Sequence, residues 1–415
     1  MILRGLSLNL LIYEHVSGGG YANEKLSASI LSEGYGMLRS LISDFKAAGH
    51  QVTTLLDSRL KGLNPPMEAD RIVSVSSSEK VDEKLRRLSD VADAFYLIAP
   101  ETDQVLEKLV ENTESSGAKS LNCKIDAIRR VSNKMKTYET LKKKGVKVPE
   151  TVLLDIHEKT RNINRLIREL EYPLVFKPID GVGCSGLSLV KDGGDIVVAV
   201  KKVARGSLSN YFIVQKLIRG TAASVCIFSS REGAVPVTLN KQVVNLAPPD
   251  EESRYSGGII PLTHSSEGEA LKIAQRVVES FRGLKGYVGV DMVLGKEGPI
   301  VMEVNPRLTT SYIGLRKVTA FNPAQAIIDA VLGRKLPKNV QRRGYALFSK
   351  VEAPPRPQIT AETYRLKKVV SPPFPIEDNQ STYALLATSS TSLKGAKSAF
   401  YRAKRRLLKL SGGGD

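Results

Sequence analysis

Residues 286–305, GYVGVDMVLGKEGPIVMEVN, can bury their apolar side chains in only one way. Apolar residues alternate with others on both sides of Lys296-Glu297-Gly298, the pattern of two strands joined by a tight turn. With Gly298 in the left-handed conformation that closes a three-residue hairpin, Leu294 faces Ile300, Met292 faces Met302 and Val290 faces Val304. One face is then wholly apolar. A slip of one residue would scramble it, so burial selects this register. The same register sets Asp291 against Glu303, with Asn305 further along that face. Two carboxylates opposed on a strand pair repel. A bound cation relieves the conflict, and two acids with an amide oxygen are hard ligands suited to Mg²⁺ held together with nucleotide phosphates. A hydrated acidic sheet face is the alternative.

The chain has 415 residues, too many for one compact core, so two to four domains or subdomains are expected. No apolar run approaches the ~20 residues that a membrane helix needs. The N-terminal MILRGLSLNLLIYEHV runs into Glu14 and His15 with no small-residue cleavage site, and reads as a first strand rather than a signal peptide. Cys123, Cys184 and Cys226 lack metal-ligand spacing and fit a reducing cytoplasm. Four scattered histidines leave little material for a zinc site or a serine-type triad.

The net charge of +18 points to nucleic acid, a membrane surface or a polyanionic small substrate. Part of it lies in KGAKSAFYRAKRRLLKL, with seven basic residues and no acid. Ala396, Ala399, Phe400, Ala403 and Leu407 recur there at helical spacing, so the segment reads as a docked helix with a solvated cationic face. The terminal SGGGD reads as a loose tail.

Strands LNLLIYEHV, QVTTLLD and AFYLIAP, with a helix SEGYGMLRSLISDFKAAG between the first two, predict a parallel α/β layer over residues 1–125. VSGGG at 16–20 follows a strand but lacks the spacing of a dinucleotide loop. From Asn133 the texture changes. NKMKTYETLKKKG is a helix ending near Gly145, and PLVFKP, LSLV, YFIVQKLI, ASVCIF and PVTLNKQVV are short strands of antiparallel sheet. SEGEALKIAQRVVESFRGL is an amphipathic helix with a serine start. Residues 341–415 look like a small β-rich appendage closed by the basic helix.

The segment YPLVFKPIDGVGCSGLSLV supplies a phosphate-facing candidate: a strand ending in Lys177, a loop rich in glycine, and another strand. Backbone N–H groups of such a loop can wrap phosphate oxygens because no Cβ keeps them away. It is not a Walker A loop, which opens a helix and carries GK[ST]. Strand, glycine loop, strand is the build of a flap over phosphates, although a glycine-rich hairpin is commonly no more than a hairpin.

Taken in order, NKMK, FKP with DGVGCSG, VQKLIRG, GVDMVL and MEVNPR resemble the motifs of an ATP-grasp ligase over residues 125–335. The resemblance implies a fold that is α/β and α+β. Its parts are a Rossmann-like (pre-ATP-grasp) domain at 1–125, an ATP-grasp core at 126–335 with a mobile lid over 150–214, and a β-rich extension at 336–415. It implies ATP and Mg²⁺, with Mn²⁺ as an alternative cation. Lys134 and Lys177 would contact phosphates, and Gly181, Gly183, Ser185 and Gly186 would form the flap. Gln215, Lys216 and Ile218 match the hinge that borders adenine, with Gln215 standing where an acid is common. Asp291, Glu303 and Asn305 match the magnesium ligands, Arg307 the arginine that steadies the acyl phosphate or acceptor, and Lys241 in LNKQ would face the transferred phosphate.

The N-terminal pattern YEHVSGGG…LSEGYGMLRSLISDFKAAGHQV is similar to an archaeal and methylotroph group of these ligases that includes tyramine–glutamate ligase of methanofuran biosynthesis. That resemblance implies a small-molecule carboxylate and amine as partners. Homodimers are common in the family, so a homodimer is a further implied partner. Glu14 and Glu33 are candidates for a substrate ammonium group, and Thr309, Thr310 and Tyr312 for the acceptor pocket. Another amino-acid or peptide ligase would share every motif, whereas a biotin-carboxylase-like enzyme lacks support from any biotinylation segment. A nucleic-acid binder explains the charge but not the Asp291–Glu303–Asn305 face, so neither nucleic acid nor a membrane is expected as a partner.

Overall fold

The computed structural model describes residues 7–77, 79–337, 341–355, 357–376 and 381–410, so the SGGGD tail lies outside the described residues. Five parallel strands open the chain: β1 (Asn9–Glu14), β2 (Gln51–Asp57), β3 (Arg71–Val75), β4 (Ala94–Ile98) and β5 (Lys119–Ser120), in spatial order β3-β2-β1-β4-β5. Parallel sheets are covered on both faces, and NLLIYE and AFYLI are accordingly buried almost throughout. The helix Ala28–Ala47 presents Leu31, Tyr35, Leu38, Leu41, Ile42 and Phe45 as its buried stripe. It begins ahead of the periodic run because Ala28, Ser29 and Ile30 form an outer turn with no buried apolar residue.

The lid is an antiparallel sheet of β6 (Thr151–Asp155), β7 (Leu174–Pro178), β8 (Ser188–Val190) and β9 (Tyr211–Lys216), in order β6-β9-β7-β8. Its helix Ile196–Gly206 is hidden in the sequence by the β-branched run IVVAV, which favours strands. Ile196, Ala199 and Val203 turn into the lid core at helical spacing.

The largest sheet contains β10 (Gly220–Ser230), β11 (Gly233–Asn245), β12 (Arg254–Ile260), β13 (Gly286–Gly295), β14 (Gly298–Asn305), β15 (Tyr345–Ala353), β16 (Val369–Ser371) and β17 (Thr382–Ser390). Their order is β14-β13-β10-β11-β12-β15-β17-β16. The C-terminal strands thus extend this sheet rather than standing apart as an appendage. Gly257–Ile260 of β12 pair with Ala346–Ser349 of β15, which covers an edge that would otherwise expose unpaired backbone groups. The basic helix Leu393–Leu410 buries Ala396, Phe400 and Leu407 and leaves Lys394, Lys397, Arg402, Arg405, Arg406 and Lys409 exposed. The helix Glu267–Glu279 starts after Ser266, but the serine hydroxyl makes no capping hydrogen bond. Among the described residues no helix is long and apolar enough to cross a membrane.

The hairpin keeps the expected pairing at its base, Val290 with Val304 and Asp291 with Glu303. Its tip differs. A bulge after Asp291 sets Met292 against Val301 and Leu294 against Pro299, and the loop is the two residues between the paired Gly295 and Gly298. Shortening the loop by one residue shifts the tip register, and the bulge absorbs the extra residue, Met302. Val301 is therefore buried while Met302 is only half-buried, turned out of the core.

Helix Ala28–Ala47 is tied to the core through Asp44, which accepts from Tyr312 Oη at 2.7 Å and from Arg316 Nε at 2.9 Å. Tyr312 belongs to that buried junction rather than to an acceptor pocket.

Candidate active site

The displaced Met302 lines a cleft between the lid and the large sheet, together with Val148, Pro149, Gln215, Lys134 and Glu303. Gln215 projects from β9, and its Nε2 donates to Thr151 Oγ1 at 2.8 Å. That bond fixes the amide and leaves Oε1 buried with no hydrogen-bond partner among the described residues. A buried acceptor in that state calls for a donor. The side chain of Lys216, one residue on, alternates to the other side, is exposed and pairs with Glu171 at 3.3 Å. Ile218 stands near the hairpin tip, where a Cβ on Gly295 would lie 3.6 Å from its Cγ2.

Lys134 opens the helix Lys134–Lys143, whose start is capped by Asn133 Oδ1 accepting from Lys136 N at 2.9 Å. Its Nζ donates to Gly181 O at 2.6 Å and lies 2.9 Å from Glu303 Oε1. Lys177, at the buried end of β7, is pushed down to about 8 by burial, against the pull of Glu303. The flap loops from Pro178 toward β8. Gly183, Cys184 and Gly186 are all left-handed, at φ +61, +69 and +69. At Gly186 a side chain would also meet Pro178 at 2.7 Å. Gly183 and Ser185 form its exposed tip. Asp180 anchors the flap, accepting from Ser207 Oγ at 2.6 Å and from the backbone N of Asp103 at 2.9 Å.

Asp291 faces Glu303 across the strand pair and accepts from Asn305 Nδ2 and from Gln242 Nε2, each at 3.1 Å. Burial, and then the facing Glu303, push Asp291 up to about 7. Burial would raise Glu303 as well, but Lys134 and Lys177 outweigh it and hold its carboxyl below the usual range. Two carboxylates and an amide suit a hard divalent cation that keeps coordination positions for phosphate oxygens. Among the described residues no group of three or more His, Cys, Asp or Glu could hold a metal. Lys241 is not part of the Asp291–Glu303–Asn305 set. It pairs with Ala223, which also pairs with Met292, so its side chain leaves the sheet on the face away from Asp291 and is exposed. Gln242 is the residue of β11 that bonds Asp291. Its alternation with Lys241 was legible in LNKQ, but the phase was not.

Arg307 lies beyond β14 and donates through Nε and Nη2 to Glu101 Oε2, at 3.0 and 2.9 Å, and through Nη1 to Leu308 O. Glu101 was missed in the sequence. Its signal is position, just past the C-terminal end of the buried strand β4, where open α/β sheets place their sites. Thr309 bonds Tyr287, and Thr310 donates to Glu33 Oε2 at 2.9 Å. Glu14 is buried and consumed by its own turn, accepting from Val16 N, Ser17 N and Ser17 Oγ. The glycines of VSGGG serve that turn. A Cβ at Gly19 (φ +92) would meet Val75 at 2.6 Å.

His15 is buried in the same turn, with its Nδ1 3.1 Å from Tyr13 Oη, and burial pushes it down from 6.5 to about 4. Between those values the unfolded chain binds a proton that the folded chain refuses. Stability therefore falls as pH drops through that window, by up to about 1.4 kcal/mol per pH unit. Glu14, raised by burial, slopes the opposite way, so the effect is isolated by a variant. Urea melts at pH 7 and 4.5 are expected to show His15→Gln losing about 2–3 kcal/mol less than the native chain. Equal losses would mean that the folded protein accepts the proton.

Residues 50–128 match the pre ATP-grasp 3 domain and residues 131–311 the ATP-grasp domain. The chain thus carries an ATP-grasp domain behind a pre-ATP-grasp domain and is by class an ATP-dependent carboxylate–amine ligase. The tyramine–L-glutamate ligase of Methanocaldococcus fervens is 27% identical over 309 residues, which span 74% of this chain and 89% of that protein. The D-alanine–D-alanine ligase of Fusobacterium nucleatum is 26% identical over 254 residues, 57% of this chain and 84% of that protein. The N5-carboxyaminoimidazole synthase of Aspergillus clavatus, solved with ADP and its aminoimidazole ribonucleotide, has the same fold. Its TM-score is 0.69 over 97% of this chain and 98% of that one, at 18% identity.

Proposed function

We propose that this ligase converts a substrate carboxylate into an acyl phosphate and joins it to an amine, with L-glutamate as the carboxylate and tyramine as the amine. The observation that carries the reaction is the gathering of two buried lysines and a facing pair of carboxylates beneath one glycine flap. The substrate pair is supported by the relative whose length this chain matches to 89%.

In this reading Gln215 Oε1 accepts from the adenine amino group. Lys134, Lys177 and the flap N–H groups hold the phosphates, and Asp291, Glu303 and Asn305 hold Mg²⁺ or Mn²⁺. Such a cation, when bound, offsets phosphate charge. The substrate carboxylate attacks the γ-phosphorus, the bond to the β,γ-bridging oxygen breaks, and ADP departs. The amine then attacks the acyl carbon, phosphate leaves and the new amide gives up a proton. Arg307 presents its fork to the oxyanion. The anchors at Asp180 hold the flap down and keep water from the mixed anhydride. No nucleophilic side chain is needed, consistent with thiols that burial pushes up to about 12 at Cys123 and Cys184. ATP as substrate and free cysteines suit the cytoplasm.

With Mg·ATP and L-glutamate, purified protein is expected to release ADP only when tyramine is present, giving a product of the summed mass less one water. ADP release that requires a different amine would keep the chemistry and replace the acceptor. Failure with glutamate and every amine tried would sink the reading.

A further inference from the structure

Glu33, a candidate for a substrate ammonium group on sequence grounds, and Lys350 have no part in the phosphate chemistry described so far. Glu33 lies on the helix Ala28–Ala47 and Lys350 on β15, both outside the two domain matches. Lys350 Nζ donates to Glu33 Oε1 at 2.5 Å and to Ser29 Oγ at 2.7 Å, while Glu33 Oε2 accepts from Thr310, three residues past Arg307. The pair is not sealed: the side chains keep 17% and 11% of their exposure. Neither is saturated among the described residues, since an ammonium has three donors and a carboxylate about four acceptor positions.

The pair adjoins the carboxylate site through the segment after Arg307: Thr310 bonds Glu33, and the next residue, Ser311, has its Oγ 3.3 Å from that of Ser224, the strand partner of Asp291. The Cys184 thiol, on the flap, is raised first by burial and then by Glu33 and Glu303, with Lys350 opposing and Asp291 adding. Tyr255 likewise is raised by burial and then by both Glu33 and Asp291. Two side chains on different elements therefore stand within electrostatic reach of both charge clusters.

A strut holding the N-terminal helix to the C-terminal strands would also account for an ion pair here. That junction is already made elsewhere. Arg39 Nη1 donates to Val369 O and Val370 O, each at 3.1 Å, and Gly36 approaches Leu385 so closely that a Cβ would lie 2.7 Å away.

We propose that Glu33 and Lys350 form a receptor for the zwitterionic head of a free amino acid, Glu33 taking its α-ammonium and Lys350 its α-carboxylate. The inference rests on the ligase reading above and specifies the class of its carboxylate substrate. A bound zwitterion exchanges one internal ion pair for two, with no change in net charge, so neither protein charge is left unpaired on binding. It also explains why the head group is read by segments outside the ATP-grasp domain. The domain supplies phosphate chemistry, and the flanking helix and strand choose the amino acid.

Calorimetric titration of the full chain in Mg·ADP, with L-glutamate, glutarate (no ammonium) and 4-aminobutyrate (no α-carboxylate), tests this. L-Glutamate is expected to bind at least tenfold tighter than either analogue. Glu33→Gln should erase the preference over glutarate alone, and Lys350→Gln the preference over 4-aminobutyrate alone, while Lys350→Arg keeps both. Mg·ADP affinity should stay within twofold in all three variants. Preferences that survive both charge removals, or native protein that binds L-glutamate no better than its analogues, overturn the receptor while leaving the nucleotide site intact. Absence of Mg·ADP binding to the native chain overturns the ligase reading and the receptor with it.

Discussion

Glu303→Gln is expected to lower kcat for ADP release about 10³-fold or more, with stability changed by no more than about 1–2 kcal/mol. The two halves of that expectation come from different contacts. On the stability side, Glu303 lies 2.9 Å from Lys134 and faces Asp291 across the strand pair. Removing its charge loses an attraction and a repulsion together, and Lys134 keeps its bond to Gly181 O. On the catalytic side nothing compensates in the proposed reading. There Glu303 is one of two carboxylates that would hold a divalent cation, and its charge opposes the burial that pushes Lys177 down to about 8. The variant would then weaken the proposed cation site and the lysine proposed to face the phosphates at once. Steady-state ADP release at saturating Mg·ATP, L-glutamate and tyramine, paired with urea denaturation, separates the outcomes. A variant that is much less stable yet turns over within tenfold of native protein would make Glu303 a strut for Lys134 and remove it from the metal set.

Which parts of this site the sequence disclosed depends on the range of the interaction. The Asp291–Glu303 pairing was legible because strand alternation and one short loop decide it locally. The bulge that sends Met302 into the cleft was not, since two- and three-residue loops are both compatible with LGKEGPI and only the packed sheet chooses. Lys241 and Gln242 show the same limit in another form. Alternation says that one of them faces the carboxylates, but the phase is set by pairing to β10, where Ala223 sets Lys241 on the face away from Asp291. The lid helix at 196–206 was masked by β-branched residues whose local preference the lid core overrides. The junction of β12 with β15 and the Glu33–Lys350 pair join segments far apart in the chain, which no periodicity connects.

Arg307→Lys is expected to reduce kcat by about 10²–10³-fold with little change in stability, whereas Glu101→Ala is expected to cost about 3–5 kcal/mol of stability. Three of the five guanidinium N–H groups are already engaged, two on Glu101 Oε2 and one on Leu308 O. The two that remain form a short fork whose direction is set by Glu101. An ammonium at this position can pair with Glu101 but has no second planar edge to offer an oxyanion, so lysine preserves the ion pair and loses the fork. Truncating Glu101 does the reverse, leaving a cation in a buried place without its partner and free to turn. The two substitutions should therefore be strongly non-additive. Once Glu101 is gone the arginine is misaligned, and changing it to lysine should cost far less activity than in the native background. Additive losses in kcat across that double-mutant cycle, measured with denaturation curves for all four proteins, would mean that Arg307 works independently of Glu101 and that the carboxylate serves only to dock β4 against the end of β14.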